Sequence, residues 1–221
     1  MKNTLLKIRH KIKWLFPWIK QPVMYAKQAL KYYKSKRRVF IDCGANTGKV
    51  LEEFILKMKG FEFHAFEPQP ELALTGKKIT ELYPDLPFKY YKEAVWIKDT
   101  ELNFYLATQW GPNYKGGSTM MQGHTKNQTE IDYGNPVKVK AIDFSAWVKR
   151  SFRPDDYIII KMDIEGAEYD VLEKMIKDNS LEYINELIIE FHNNMNDQIS
   201  DARHNRLVKA IKKRLILILW Y

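Results

Sequence analysis

The chain has 221 residues, 45% of them hydrophobic, and a formal net charge of +9. That length suits one α/β-sized domain with a full core, and no run of about twenty apolar residues offers a membrane span. Cys43 is the only cysteine, which rules out an internal disulfide and fits a reducing compartment.

The positive charge is concentrated at one end. Residues 1–38 hold twelve Lys or Arg and no acid, leaving 24 bases against 27 acids in residues 39–221. A nucleic-acid enzyme spreads basic residues around its active groove, so a nucleic-acid partner is disfavoured. The chain is therefore divided into a basic segment, 1–38, and a slightly acidic domain, 39–221. Within residues 4–20, Leu5, Ile8, Ile12, Leu15 and Ile19 recur at helical spacing, with Lys7, Lys11 and Lys13 mostly off that stripe and Pro17 as a kink or end. Two uses are open for this amphipathic helix. It contacts an anionic membrane surface, or it packs its stripe on the domain. No secretory leader is expected, because the basic N-terminus lacks an uninterrupted apolar segment. The expected location is cytoplasmic, with peripheral contact at the inner face of a membrane if the helix binds lipid.

From residue 39 strands and helices alternate. Residues 39–42 form an apolar run ending in Asp42. A loop with Gly44 and Gly48 follows, and then a helix from Thr47 with Val50, Leu51, Phe54, Ile55 and Met58 on its face. A strand–turn–helix of this kind opens a nucleotide-binding α/β unit. Its spacing is D-x-G-x-x-x-G, unlike the G-x-G-x-x-G loop that offers N–H groups to a pyrophosphate. A carboxylate here repels phosphate and suits a cation. S-adenosylmethionine carries an ammonium and a sulfonium and no phosphate, so it is the expected ligand.

A second strand at 62–67 ends in Glu67, placed to accept ribose hydroxyls as the acid after strand two does in dinucleotide folds. A helix at 70–83 and a third strand at 88–96 follow, with Glu93 and Ala94 at the expected adenine edge. Strands at 102–107 and 137–142 flank a polar stretch. Gly111, Gly116, Gly117, Gly123 and Gly134 lie there, half of the ten glycines. A loop this long in a compact domain is a lid, a binding loop or disordered, and its Trp110, Tyr114, Ser118, Thr119 and His124 are candidate acceptor contacts. The apolar strand 157–163 ends in Asp163, with Glu165 just beyond it and unassigned. Glu168 reads as an acid at the start of a helix running to about Ile176. The strand 184–192 ends in Glu190, Phe191 and His192, with Glu190 and His192 on one side. A helix at 200–213 and an apolar run at 215–221 complete the pattern. Strands apolar on both faces indicate a mostly parallel sheet covered by helices.

Asp42, Glu67, Asp163 and the Glu190–His192 pair thus share the C-terminal edge of one sheet, where open α/β sheets bind ligands. His192 is a candidate general base. Asp163, Glu190 and His192 also form an oxygen/nitrogen set suited to Mg²⁺ or Mn²⁺, and both uses stay open.

Together, VFIDCGANTG, FEP, KMDIEGAEYDVL and IIEFH resemble the FkbM family of S-adenosylmethionine-dependent methyltransferases, over most of residues 39–192. The resemblance implies a class I, Rossmann-like methyltransferase fold and methyl transfer to a hydroxyl, commonly of a sugar in a glycan or glycosylated metabolite. By motif match, Asp42, Gly44, Ala45, Asn46 and Gly48 line the cofactor, with Glu67 at its ribose. Class I sheets usually finish with an antiparallel hairpin, and this sequence supplies only its first strand. The remaining readings are an RNA 2′-O-methyltransferase, held by the basic segment, and a domain that binds the donor without transfer.

Overall fold

A computed structural model describes residues 22–108, 117–122, 131–193 and 199–220. The expectation for residues 4–20 lies outside these, as do Trp110, Tyr114 and His124. No described helix is long and apolar enough to cross a membrane.

Helix α1, Pro22–Lys34, precedes the first strand. The order is then β1 (Arg38–Cys43), α2 (Lys49–Lys57), β2 (Glu62–Phe66), α3 (Thr75–Leu82), β3 (Phe88–Tyr91), β4 (Ala94–Trp96), β5 (Thr100–Phe104), β6 (Val137–Asp143), α4 (Phe144–Ser151), β7 (Tyr157–Met162), α5 (Glu168–Lys177), β8 (Glu186–Ile189), α6 (Asp201–Lys212) and β9 (Ile216–Leu219). Six strands form one sheet in the order β3-β2-β1-β7-β8-β9, with every pair parallel. The chain lays β1, β2 and β3 outward in one direction, then returns to β7 and builds β8 and β9 in the other. The order therefore reverses between β1 and β7, and a crevice opens beyond their C-terminal ends.

The central strands are apolar because helices cover both faces. On one face Phe144, Trp147, Tyr169, Leu172, Leu207 and Ile211, from α4, α5 and α6, pack with Ile41, Ile158 and Ile160. On the other, Phe54, Ile55 and Ile79 from α2 and α3 pack with Phe40, Phe63 and Ile159. This is the expected Rossmann-like α/β arrangement, consistent with a class I methyltransferase fold.

Four details sharpen or correct the expectation. The third strand, expected over 88–96, is two: β3 joins the main sheet and β4 joins a second sheet, β4-β6-β5, with β4 parallel and β5 antiparallel to β6. Helix α4 follows β6 at once, capped by Asp143, whose carboxylate accepts from Ala146 N at 2.9 Å. Strand β9 is the single strand of the expected incomplete hairpin, with no second strand among the described residues. The crossover through α6 returns it parallel to β8, to which it pairs directly from Glu186↔Ile216 to Ile189↔Leu219. Helix α1, from the basic segment, is packed on the domain. Its Lys31 donates to Asn185 Oδ1 at 3.1 Å and its Gln28 accepts from Asn185 Nδ2 at 2.6 Å.

Beside this α1 contact, buried Glu186 accepts a hydrogen bond from the Tyr157 hydroxyl. Burial pushes the Glu186 carboxyl up to about 7, with the Tyr157 bond working the other way. A carboxyl raised in the folded state favours folding while protonated, so its contribution is full below its unfolded value near 4.5 and is lost as pH rises through about 7. Glu186→Gln keeps an acceptor for Tyr157 without the charge. It is expected to melt higher than wild type at pH 8, by on the order of 5 °C, and to match it at pH 5. A melting difference independent of pH would remove Glu186 ionisation as the cause.

Candidate active site

Strand β1 ends at Cys43, and the next residues fold over the end of β2. Gly44 N and Ala45 N both donate to Phe66 O at 3.0 Å. Gly44 has φ +84°, and a Cβ there would lie 1.9 Å from the Asp163 carbonyl oxygen, so only glycine lets the β1 and β7 loops meet. Asn46 takes φ 49°, and its side chain accepts from Thr47 N at 2.7 Å.

Glu67 ties this turn to the end of β2. Its Oε2 accepts from Asn46 N at 2.8 Å and its Oε1 from Gln69 N at 3.0 Å. Burial pushes its carboxyl up to about 7, against those two bonds. Each oxygen keeps a second lone pair for a ligand hydroxyl.

Asp42, expected to face the ligand's ammonium, is fully buried and pairs with Lys161 of β7, Nζ to Oδ1 3.3 Å. Lys161 also donates to Gly44 O at 3.0 Å and lies 3.4 Å from Asp163 Oδ2. Burial works against its charge, but Asp42 and Asp163 outweigh it and hold the ammonium above the ordinary lysine range. Lys161 therefore links the β1 turn to the end of β7.

After β7 the chain turns sharply. Glu165 has φ 52° and Gly166 φ 102°. Glu168, fully buried, holds the turn by accepting from Ile164 N and Gly166 N, each at 3.0 Å. Its Oε1 also accepts from His192 Nδ1 at 2.9 Å. A carboxylate can only accept, so Nδ1 carries the hydrogen and Nε2 faces the other way. Nε2 lies 3.3 Å from Glu165 Oε2, 3.8 Å from Asp163 Oδ1 and 3.9 Å from Glu190 Oε1. Burial opposes a charge on His192, yet the Glu168 bond and the Glu165 and Asp163 carboxylates overcome it and push the imidazolium up to about 10. The surrounding carboxylates thus favour the protonated ring, which works against the general-base role expected for it.

Beyond the strand ends lies an open cleft. Gly44, Asn46, Glu67, Ala94, Asp163 and Glu165 line it, with Phe66, Gln69, Phe104, Ser118 and Met120. Of the residues expected at the cofactor, Asp42 and Ala45 are buried behind this wall, Gly48 packs on Thr75 of α3, and Glu93 is not among the lining residues. Glu190 and His192 stand behind Asp163 and Glu165. Of the candidate acceptor contacts, Ser118 reaches the cleft while accepting from Ala107 N at 3.0 Å, and Thr119 is fully buried.

No curated protein and no solved structure matches the chain. The family model described as the methyltransferase FkbM domain matches residues 42–214, from the Asp42 turn to just before β9. That span carries both walls of the cleft and the His192 cluster, and the chain belongs to the FkbM methyltransferase family.

Proposed function

We propose that the protein transfers a methyl group from S-adenosylmethionine to a hydroxyl, that of a sugar in a glycan or a glycosylated metabolite. The observation that carries this is the charge of the cleft. Glu67, Asp163 and Glu165 line it, and no Lys or Arg does so among the described residues. Such a wall favours a cationic donor and disfavours the phosphates of an RNA acceptor.

When bound, the donor supplies an electrophilic methyl on a sulfonium, which leaves as a neutral thioether when the acceptor oxygen attacks in line. Glu67 accepts the ribose hydroxyls through the lone pairs its backbone partners leave open. Gly44 and Asn46 bring main chain close to the donor. Asp163, at the cleft wall, takes the proton that the acceptor hydroxyl loses, and His192 behind it orients and compensates the new charge arrangement. Holding the two reactants in contact accounts for much of the acceleration.

A divalent cation fits the same corner. Asp163, Glu165 and His192 each offer a ligand atom, all within 4.8 Å of one another, and the oxygen and imidazole donors suit Mg²⁺ or Mn²⁺. Glu165 takes the place in this set that the strand pattern gave to Glu190. A cation held there would act as a Lewis acid toward the acceptor oxygen.

Calorimetry with S-adenosylmethionine, and transfer of labelled methyl into a panel of neutral glycans with and without EDTA, test the proposal. The expected result is one donor site per chain and label in a glycan hydroxyl. Absence of donor binding would overturn the donor assignment. Donor binding with no transfer to any glycan would favour a non-catalytic domain, and loss of transfer in EDTA would establish the cation.

A further inference from the structure

We propose that Glu165 is a positioning residue that fastens residues 117–120, one wall of the cleft, to the catalytic end of β7. The segment is held on its outer side by the small sheet. Tyr105 and Thr119 exchange backbone hydrogen bonds of 2.7 and 3.0 Å, and Ala107 N donates to Ser118 Oγ. Those contacts attach it to residues 105–107, just past β5, but they do not set its distance from the donor loop.

Glu165 sets that distance with two bonds. Its Oε1 accepts from Gly117 N at 2.9 Å, and its main-chain oxygen accepts from Thr119 Oγ1 at 2.6 Å. Thr119 Oγ1 in turn accepts from Met121 N at 3.0 Å. Gly166 keeps the contact close, since a Cβ there would come 3.3 Å from Met121 Cγ. The carbonyl points at Thr119 because Glu165 is held at φ 52°, a conformation L residues rarely adopt. The other carboxylate oxygen, Oε2, lies 3.3 Å from His192 Nε2. One side chain therefore touches both the wall that carries Ser118 and Met120 and the cluster behind Asp163. Loss of the clamp would leave those two residues on the small sheet but free to shift relative to Asp163, which would weaken acceptor binding first.

The structural arm of the test is independent of the transferase reading; the kinetic arm rests on it. Thr119→Val removes the bond to the Glu165 carbonyl, and with it the one from Met121 N, without touching His192 or the cleft. Glu165→Ala removes the carboxylate bond, and Glu165→Gln restores an acceptor for Gly117 without the charge. Amide hydrogen exchange in the full chain should quicken about tenfold at residues 117–120 in Thr119→Val and Glu165→Ala, with β1 and β7 unchanged, and return toward wild type in Glu165→Gln; Met121 is left out because Thr119→Val removes its own acceptor. With the glycan that the transfer screen labels as acceptor, Thr119→Val should raise KM about tenfold and leave kcat within about twofold. Wild-type exchange in both Thr119→Val and Glu165→Ala would overturn the clamp. Faster exchange with an unchanged KM would overturn its positioning role. If no acceptor is ever methylated, the transferase reading fails while the exchange result still decides the clamp.

Discussion

Replacing Gly44 with alanine is expected to lower the melting temperature by more than about 10 °C and to abolish donor binding. The left-handed backbone at φ +84° costs an L residue roughly 1–2 kcal/mol by itself. The larger cost is steric. The new methyl would sit 1.9 Å from the Asp163 oxygen and 3.0 Å from its carbonyl carbon, both of them backbone atoms. Asp163 cannot retreat, because its N–H donates to Cys43 O at 3.0 Å and its carboxylate lies beside Lys161. Gly44 is tethered from the other side, its carbonyl accepting from that same lysine. Relief requires the ends of β1 and β7 to part, which opens the Asp42–Lys161 pair in the core. Breaking one side of a buried pair costs about 3–5 kcal/mol. Gly48→Ala is the control. It carries the same left-handed backbone cost at φ +78°, but its methyl would meet only side-chain atoms, Thr75 Cγ2 at 2.8 Å and Ile79 at 3.5 Å or more, so the loss should be smaller. Thermal melts of both variants, with donor titrated by calorimetry, check the pair. A Gly44→Ala protein that melts and binds like wild type would show that this close approach is not needed.

The sheet and its crevice were legible because both follow from local pattern. Apolar runs such as Tyr157–Met162 are buried at every position, and the glycine turn after Asp42 announces a helix start. Partners distant along the chain were not. Asp42 reads as a carboxylate out of place, and its partner lies 119 positions on. The signal for it was Lys161 itself, a lysine inside an otherwise apolar, fully covered strand. Such a lysine needs an anion. The pattern gives Glu168 to the helix start, and it does hold Ile164 N and Gly166 N. Its bond to His192 crosses from the start of α5 to the end of β8, and no sequence period marks such a contact. Helix α4 carried its own signal in Asp143 followed by Phe144, Trp147 and Val148 at helical spacing. The direction of β9 depended on α6 forming a full crossover, a tertiary fact that an apolar run alone does not contain.

The wall behind the cleft yields the other large effect. Asp163→Asn and His192→Asn are each expected to reduce turnover by about 10²–10⁴. Asparagine at 163 keeps the shape and removes the group placed to take the acceptor's proton. At 192 the choice of variant matters. Alanine would leave Glu168, fully buried, without the imidazole that donates to it, and the resulting instability would mask any catalytic loss. The amide of asparagine offers a donor in place of Nδ1 while lacking anything at the position of Nε2, the atom that faces Asp163, Glu165 and Glu190. Its fold should therefore survive and its turnover should not. Donor affinity separates the two residues. Asp163 lines the cleft and His192 stands behind it, so His192→Asn should bind S-adenosylmethionine within a few-fold of wild type, whereas Asp163→Asn should lose affinity as well. Because the two side chains work as one unit, the double variant should be little slower than the worse single one. If both single variants bound the donor normally and kept full turnover, the acid at the end of β7 and the histidine behind it would not be the catalytic wall.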